Sequence, residues 1–480
     1  MPNLTKYNLI VWQDFKGLSD SLWSGAKGSF YKMVGVDIHS QPGSITVQQR
    51  LDNDTGAVTI DTLCKVAVAL SDGSKIWFAF DSGKIWRESS GTYLLVYTTS
   101  PAAGTAGCSG AAEYNGFLYW ATQSRLHRIS LATAIATAAN WTSNAVPNWN
   151  TFNQTDADFH PMVVQGGTLW IGDNNIMASV NSSATFTASG LLDLVDPQRI
   201  KTLAPFDIDI VIGTLVATTV NYCYIYRWDT ILTVATFSEI VRENGVNAFG
   251  WLGTVLVAQC GTSGNWYQYD GKSLQAYKRI PGTWSPTQRA EVYPGSTAVL
   301  RGNMIFGLSN LAGNPAEQGI YTFGRYSKDY PFVLTGPDFI VSQDKVATIE
   351  IGAIIVDGQD VYVAWKDGAT YGIDQLNYSA KYASARIETT RLIPDPQNQT
   401  VAVQFWANYQ SLPASTDLTF GYQKNNDTSY TNITAINDTE NIQLYAEETV
   451  VGRVIQMRIQ FTVSSNSSPT LEQIGVALAN

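Results

Sequence analysis

One short unit returns seven times along this chain, and that repetition constrains the fold more than any other feature. The unit is a short apolar strand, a tight turn carrying Gly or Asp, and an apolar-aromatic strand that ends in a small residue. Its copies read VAVALSDGSKIWFAF from Val66, AAEYNGFLYWAT from Ala111, PMVVQGGTLWIGD from Pro161, LAPFDIDIVIGT from Leu203, AFGWLGTVLVAQ from Ala248, TAVLRGNMIFGLS from Thr297 and GAIIVDGQDVYVAW from Gly352. Their central positions align as Trp77, Tyr119, Trp170, Val211, Leu256, Ile305 and Tyr362. These lie roughly 41 to 57 residues apart, the interval of propeller blades.

A third aromatic strand follows most copies: KIWRES from Lys84, RLHRIS from Arg125, YCYIYRW from Tyr222, NWYQYDG from Asn265 and GIYTFGRY from Gly319. A lone four-stranded sheet leaves both faces wet, and stacking such sheets radially buries them. The small residues ending the second strands (Ala79, Ala121, Gly172, Gly213, Ala258, Gly307, Ala364) suit inner strands converging on an axis, because bulky side chains there would collide between blades. The other arrangement compatible with such turns is a set of hairpins divided between two sandwiches. Seven copies in one phase favour the propeller. Two strand-like stretches precede the first copy, around Leu9–Phe15 and Ser44–Leu51, and one of them is expected to close the ring by joining the last blade.

The pattern changes near residue 380. ARIETTRLI, TVAVQFWANY, DLTFGYQ, NIQLYA and RVIQMRIQFTV alternate with period two. The expected organisation is all-β: an N-terminal extended segment over 1–50, a seven-bladed propeller over 51–378, and a jelly-roll-like β-sandwich over 379–480 that folds on its own. Composition agrees, with 45% hydrophobic residues, 12% aromatic, and turn-forming Gly at 39 positions.

Charge excludes several classes. Only 15% of residues are charged, the net charge is −10, and no run of Lys and Arg supplies a phosphate-binding footprint. Sequence-specific nucleic-acid binding is therefore not expected. The opening MPNLTKYNLIVWQDF lacks the basic and apolar regions of a secretory signal, and no stretch is apolar enough for a membrane anchor. Cys64, Cys108, Cys223 and Cys260 are widely spaced and read as free buried thiols. Asn-x-Ser/Thr triplets, as at Asn140, Asn432 and Asn437, read as chance matches in an Asn- and Thr-rich chain.

The residues give no catalytic, cofactor or metal constellation. His39, His127 and His160 stand alone, without HExxH or Cys/His spacing. There is no GxSxG elbow, P-loop or GxGxxG. Ser71–Trp77 is faintly similar to a sialidase Asp-box but does not repeat across the copies, so it reads as a hairpin Asp-Gly turn. Asp52-Asn53-Asp54-Thr55-Gly56 offers oxygens to calcium yet lacks the distal carboxylate of an EF-hand, and reads as a turn.

The stretch KGLSDSLWSGAKGSFYKMVGVDIHSQPGSITVQQRL, Lys16 to Leu51, resembles the opening of tail-associated virion proteins of tailed bacteriophages: a loop-rich segment ending in Pro-Gly, here Pro42-Gly43, ahead of the first blade. The whole plan is similar to the tail nozzle or hub of short-tailed phages. The resemblance implies a structural protein of the virion, assembled in the host cytoplasm as a ring of copies with other tail proteins, with DNA free to slide past a weakly charged, acidic surface. It brings no catalytic or ligand residues with it. Within Gly17–Gly35, Trp23, Phe30 and Tyr31 are more than a flexible linker needs, and they are expected to dock on the propeller or on a neighbouring subunit as assembly contacts. The competing reading is a propeller that binds or cleaves glycans for host adsorption.

Overall fold

In a computed structural model, alternating residues in the repeated strands do face opposite neighbours, and the result is a seven-bladed propeller joined to a β-sandwich. The structure describes residues 8–479 apart from 24, 55–59, 100–106, 133–135, 155–158, 217–221, 262–263, 281–290, 310–317, 328, 340, 343–348, 394–399, 437–442 and 447–448. Blades 1 to 6 are four-stranded antiparallel sheets running from Cys64 to Thr98, Gly110 to Thr151, Met162 to Thr187, Arg199 to Val241, Val246 to Lys278 and Thr297 to Thr335. Blade 7 takes three strands from Ile349–Asp357, Asp360–Asp367 and Thr370–Lys381. Its fourth is Gln49–Asn53 from the other end of the chain, paired Leu51 to Leu376. The first strands of successive blades touch, and blade 7 touches blade 1, so the ring is closed. Among the described residues the one helix is Ala138–Asn144, between the third and fourth strands of blade 2, which buries Trp141 against Trp120 and Tyr97.

Each repeat hairpin forms the first and second strands of its blade. The period of two does the rest: residues one apart point into different inter-blade cores. Ile76 and Phe78 pack with Leu118 and Trp120 of blade 2, whereas Trp77 and Ala79 pack with Ala353 and Tyr362 of blade 7. Fully burying one such aromatic contributes up to about 3 kcal/mol. The axis is lined by the first strands, so the small residues ending the second strands are not themselves the innermost positions. They are small because the next blade's first strand crosses there. A Cβ on Gly172 would lie 2.6 Å from Ile200 Cγ2, on Gly213 2.7 Å from Val246 Cγ1, and on Gly307 2.2 Å from Ile351 Cγ2.

Residues 8–53 form more than an extended segment with one ring-closing strand. Asn8–Trp12 pairs with the last strand, Leu471–Ala479, and Phe30–Val34 pairs with Arg386–Thr389. Each is the edge strand of one five-stranded sandwich sheet. The last propeller strand ends at Lys381 and the first C-terminal sandwich strand begins at Arg386. Trp12, Phe30 and Met33 share one core with Phe405, Phe420, Ile459 and Ile474, and that core is continuous with Trp266, Phe306 and Phe323 between blades 5 and 6. The sandwich drawn over 379–480 is therefore completed from the N-terminus.

Candidate functional site

The segment that joins the two domains also lines a group of hollows at the seam. Gly17 has φ +72°, and its Cβ would lie 2.4 Å from the Leu334 carbonyl oxygen. Without a side chain the backbone closes on the outer strand of blade 6, and Leu18 N–H donates to Leu334 C=O at 2.7 Å. On its other side Phe30 N–H donates to Gly17 C=O at 2.9 Å, so hydrogen bonding runs from blade 6 through Gly17–Ser19 into the sandwich. Phe15 packs on Phe30 with ring centroids 5.8 Å apart.

Three neighbouring spaces surround the 37–49 stretch at this seam. A hollow of about 310 Å³ is floored by Phe15, Ile38, Pro331 and Val333 and flanked by Tyr326 and Tyr330. A polar cleft of about 440 Å³ lies between blades 6 and 7 and the sandwich, with Gln48, Arg301, Tyr378, Lys381, Asn466 and Ser468 in its wall. A smaller crevice beside Asn303 and Thr322 shares Asp37, Ser40, Gln48 and Arg301 with it as wall. Lys381 Nζ donates to Val47 C=O at 2.7 Å, and burial pushes its pKa down. Arg301 Nε donates to Gln359 Oε1 at 2.6 Å. His39 separates the hollow from the crevice. Its Nε2 lies 3.2 Å from Thr335 Oγ1, whose hydroxyl donates to Asp338 Oδ2, so Nε2 is the donor of this pair. Burial lowers the His39 pKa to about 4 against the opposing charge of Asp37, and burial raises that of Asp338.

Of the three expected assembly residues, Phe30 is fully buried in the sandwich core and cannot touch another subunit. An edge strand that must cover a hydrophobic core explains its aromatic character. Tyr31 is half-buried on the same strand. Trp23 is 52% exposed, its ring under the Arg391 guanidinium at 4.6 Å. The docking surface is thus the chain's own sandwich as well as blade 6, and only Trp23 keeps half its surface in solvent. Tyr326 and Tyr330 carry no sequence signal because they meet the N-terminal segment only in three dimensions.

The remaining sequence candidates are used within the fold. His127 Nδ1 accepts from Asn148 N–H at 3.0 Å, and its ring stacks on Trp120. His160 lies buried against Phe152, with centroids 3.9 Å apart. Asp72 Oδ1 accepts from Ser74 N–H at 2.8 Å in the hairpin turn. Asp52 is paired with Arg50, and Asp54 accepts from Tyr93 Oη at 2.8 Å; residues 55 and 56 of that turn lie outside the described residues. The four cysteines are free and buried. Among the described residues no group of three His, Cys, Asp or Glu side chains is placed to hold a metal ion, and no helix is long and apolar enough to cross a membrane.

The propeller axis is filled at the face away from the sandwich. Lys65 and Lys201 occupy β-bulges at the starts of the first strands of blades 1 and 4. Lys65 Nζ sits 4.1 Å from the Phe80 ring centre and 4.5 Å from that of Tyr293. Lys201 Nζ sits 4.0 Å from the Phe159 ring centre and is ion-paired to Glu291. Tyr293 Oη donates to Glu350 of blade 7 at 3.2 Å. Groups from opposite sides of the ring meet only over the axis, so these side chains stopper it.

No family model and no curated protein matches this chain. Solved structures do. The extracellular domain of a putative hybrid two-component system from B. thetaiotaomicron is 15% identical, with a TM-score of 0.47, over 83% of this chain and 47% of that one. A second such extracellular domain from the same organism is 11% identical, with a TM-score of 0.46, over 88% and 58%. A catalytically inactive virginiamycin B lyase from Staphylococcus aureus, solved with quinupristin, is 10% identical, with a TM-score of 0.45, over 69% and 99%. The chain spans about half the length of the first of these.

Proposed function

We propose that this chain is a structural subunit of a bacteriophage virion, a tail nozzle- or hub-type protein that assembles into a ring with further copies and with other tail proteins. The observation that carries the reading is the path of residues 8–53, which supplies an edge strand to each sandwich sheet and then the closing strand of the propeller. Neither domain can shift against the other without unpairing that thread, which suits a part that must hold its shape in a particle. The stoppered axis directs any passage of DNA to the opening of a ring of copies. A second reading, glycan binding, draws on the polar cleft, whose amides, hydroxyls and Arg301 and Lys381 are groups that recognise polyols. Electron microscopy of the purified chain, with antibody labelling of purified particles, tests both. Closed rings and label on the tail are the expected results. An unlabelled particle together with a monomeric chain that binds or shortens a polysaccharide replaces the first reading with the second.

A further inference from the structure

Two apolar features stand on the same face of the propeller, one convex and one concave. Both lie in loops joining a third to a fourth strand. In blade 4 the loop after Trp228 presents Ile231 at 83% exposure, Val234 at 62% and Leu232 at 49%, beside Ile208 at 75% in the neighbouring turn. This loop is held in place. Asp229 Oδ1 accepts from the N–H groups of Ile231 and Leu232, each at 2.9 Å. Trp228 Nε1 donates to Leu232 C=O at 2.6 Å, and Thr236 N–H closes the far end on Arg227 C=O at 2.9 Å. Single exposed apolar residues are ordinary on a protein surface, but three aliphatic side chains on one pinned loop, with a fourth in the turn beside it, are not.

In blade 6 the corresponding loop carries Tyr326 and Tyr330, 49% and 45% exposed and edge-to-face at 5.6 Å. They flank the 310 Å³ hollow with its Phe15 and Val333 floor. That volume is at the low end of the ~300–1,000 Å³ in which proteins seat small apolar groups. Two cations can meet the acids of the protrusion: Asp207 and Asp229 flank it, and Lys16 lines the hollow with Arg325 beside it over Phe332, alongside Asp14 in the wall and Asp329 next to Tyr330. Within one chain blade 5 separates the two features, so the protrusion cannot fill its own hollow.

We propose that the blade 4 protrusion of one copy seats in the blade 6 hollow of the next, Ile231 and Leu232 packing on its floor beside the Tyr326–Tyr330 pair. The contact uses different surfaces on its two sides. Each copy therefore keeps one protrusion and one hollow for further neighbours, and the series ends when a ring closes. The inference rests on the ring reading of the function and names the surfaces that make the ring.

The test uses the full chain. Mass photometry of the wild type is compared with Ile231→Asp/Leu232→Asp, in which both altered side chains are exposed, so circular dichroism and melting should be unchanged. Separately, Ile231→Cys and Tyr330→Cys chains are mixed and oxidised; the four native cysteines are buried and stay out of the reaction. The expected results are wild-type oligomers, at least a tenfold loss of oligomer in the double variant, and a disulfide-linked pair only in the mixture. Wild-type oligomers that persist in the double variant, with no linked pair, overturn the contact while the ring reading stands. A monomeric wild type with no linked pair overturns the contact too, and the ring reading then falls if labelled particles also lack the chain.

Discussion

Buried histidines set how this molecule meets acid. His127 lies between blades 1 and 2, with its Nδ1 accepting from Asn148 N–H, so the remaining proton sits on Nε2 toward Thr122 Oγ1 at 3.2 Å. Both nitrogens are committed in the neutral form, and a second proton would break the Asn148 bond. Burial, assisted by the Arg125 charge, lowers the His127 pKa from 6.5 to about 4. A folded-state pKa below the unfolded value means that the unfolded chain binds more protons between these limits. Stability is therefore complete above pH 6.5 and is lost as pH falls toward 4. The limiting slope is ~1.4 kcal/mol per pH unit. Comparison with His127→Gln isolates this residue from His39 and from Asp338, whose raised pKa acts in the opposite direction. The wild type should lose on the order of 2–3 kcal/mol relative to the variant between pH 7 and pH 4, read from urea unfolding. Parallel pH dependence in the two proteins would show that the ring titrates normally.

Among the elements, the five-residue strand Gln49–Asn53 has an effect out of proportion to its length. Leu51 is 1% exposed and packs with Trp365, Leu376 and Ile349 in the core between blades 6 and 7. Leu51→Ala is expected to destabilise the chain by ~2–5 kcal/mol, as for a buried leucine deep in a core, although the strand is the outermost of its blade. A loss below 1 kcal/mol in denaturant unfolding would mean that the ring holds without its closing strand. The central elements of the fold are legible in the sequence because a hairpin is local: Trp77 and Trp86 face each other across one turn. The fourth strands are harder to read; that of blade 3 is only Phe186–Thr187. The N-terminal pairings leave no local trace, since Asn8 faces Leu478 and Phe30 faces Thr389. The glycines that read as a linker are instead sites of close approach. A Cβ on Gly35 would lie 2.3 Å from Tyr382 Cδ1, as one on Gly17 would meet Leu334. The seam hollow escapes sequence reading for the same reason, because Phe15 and Tyr330 meet across three hundred residues of chain.

At the scale of the whole molecule, the two domains are distinct in architecture but share one thread and one core, and this changes what can be cut apart. Taken alone, residues 380–480 look like an independent sandwich by alternation, but each of its sheets lacks an edge strand there. Removing Asn8–Trp12 and Phe30–Val34 leaves the backbone of Leu471–Ala479 and Arg386–Thr389 unpaired along one side. It also uncovers Phe405, Phe420 and Ile474, which in the intact chain pack in one core with Trp12, Phe30 and Met33. Lost apolar burial at about 25 cal/mol per Å² falls on a domain of only some hundred residues, whose net stability is of order 5–15 kcal/mol. The isolated 380–480 chain is therefore expected to melt without a cooperative transition and to bind a hydrophobic dye. Supplying residues 8–37 through a flexible linker should restore a sigmoidal melt, because it returns both edge strands and the Phe15, Leu18 and Phe30 side chains. A cooperative melt of 380–480 alone, unchanged when the N-terminal segment is added, would show that the sandwich folds first and the thread merely docks on it.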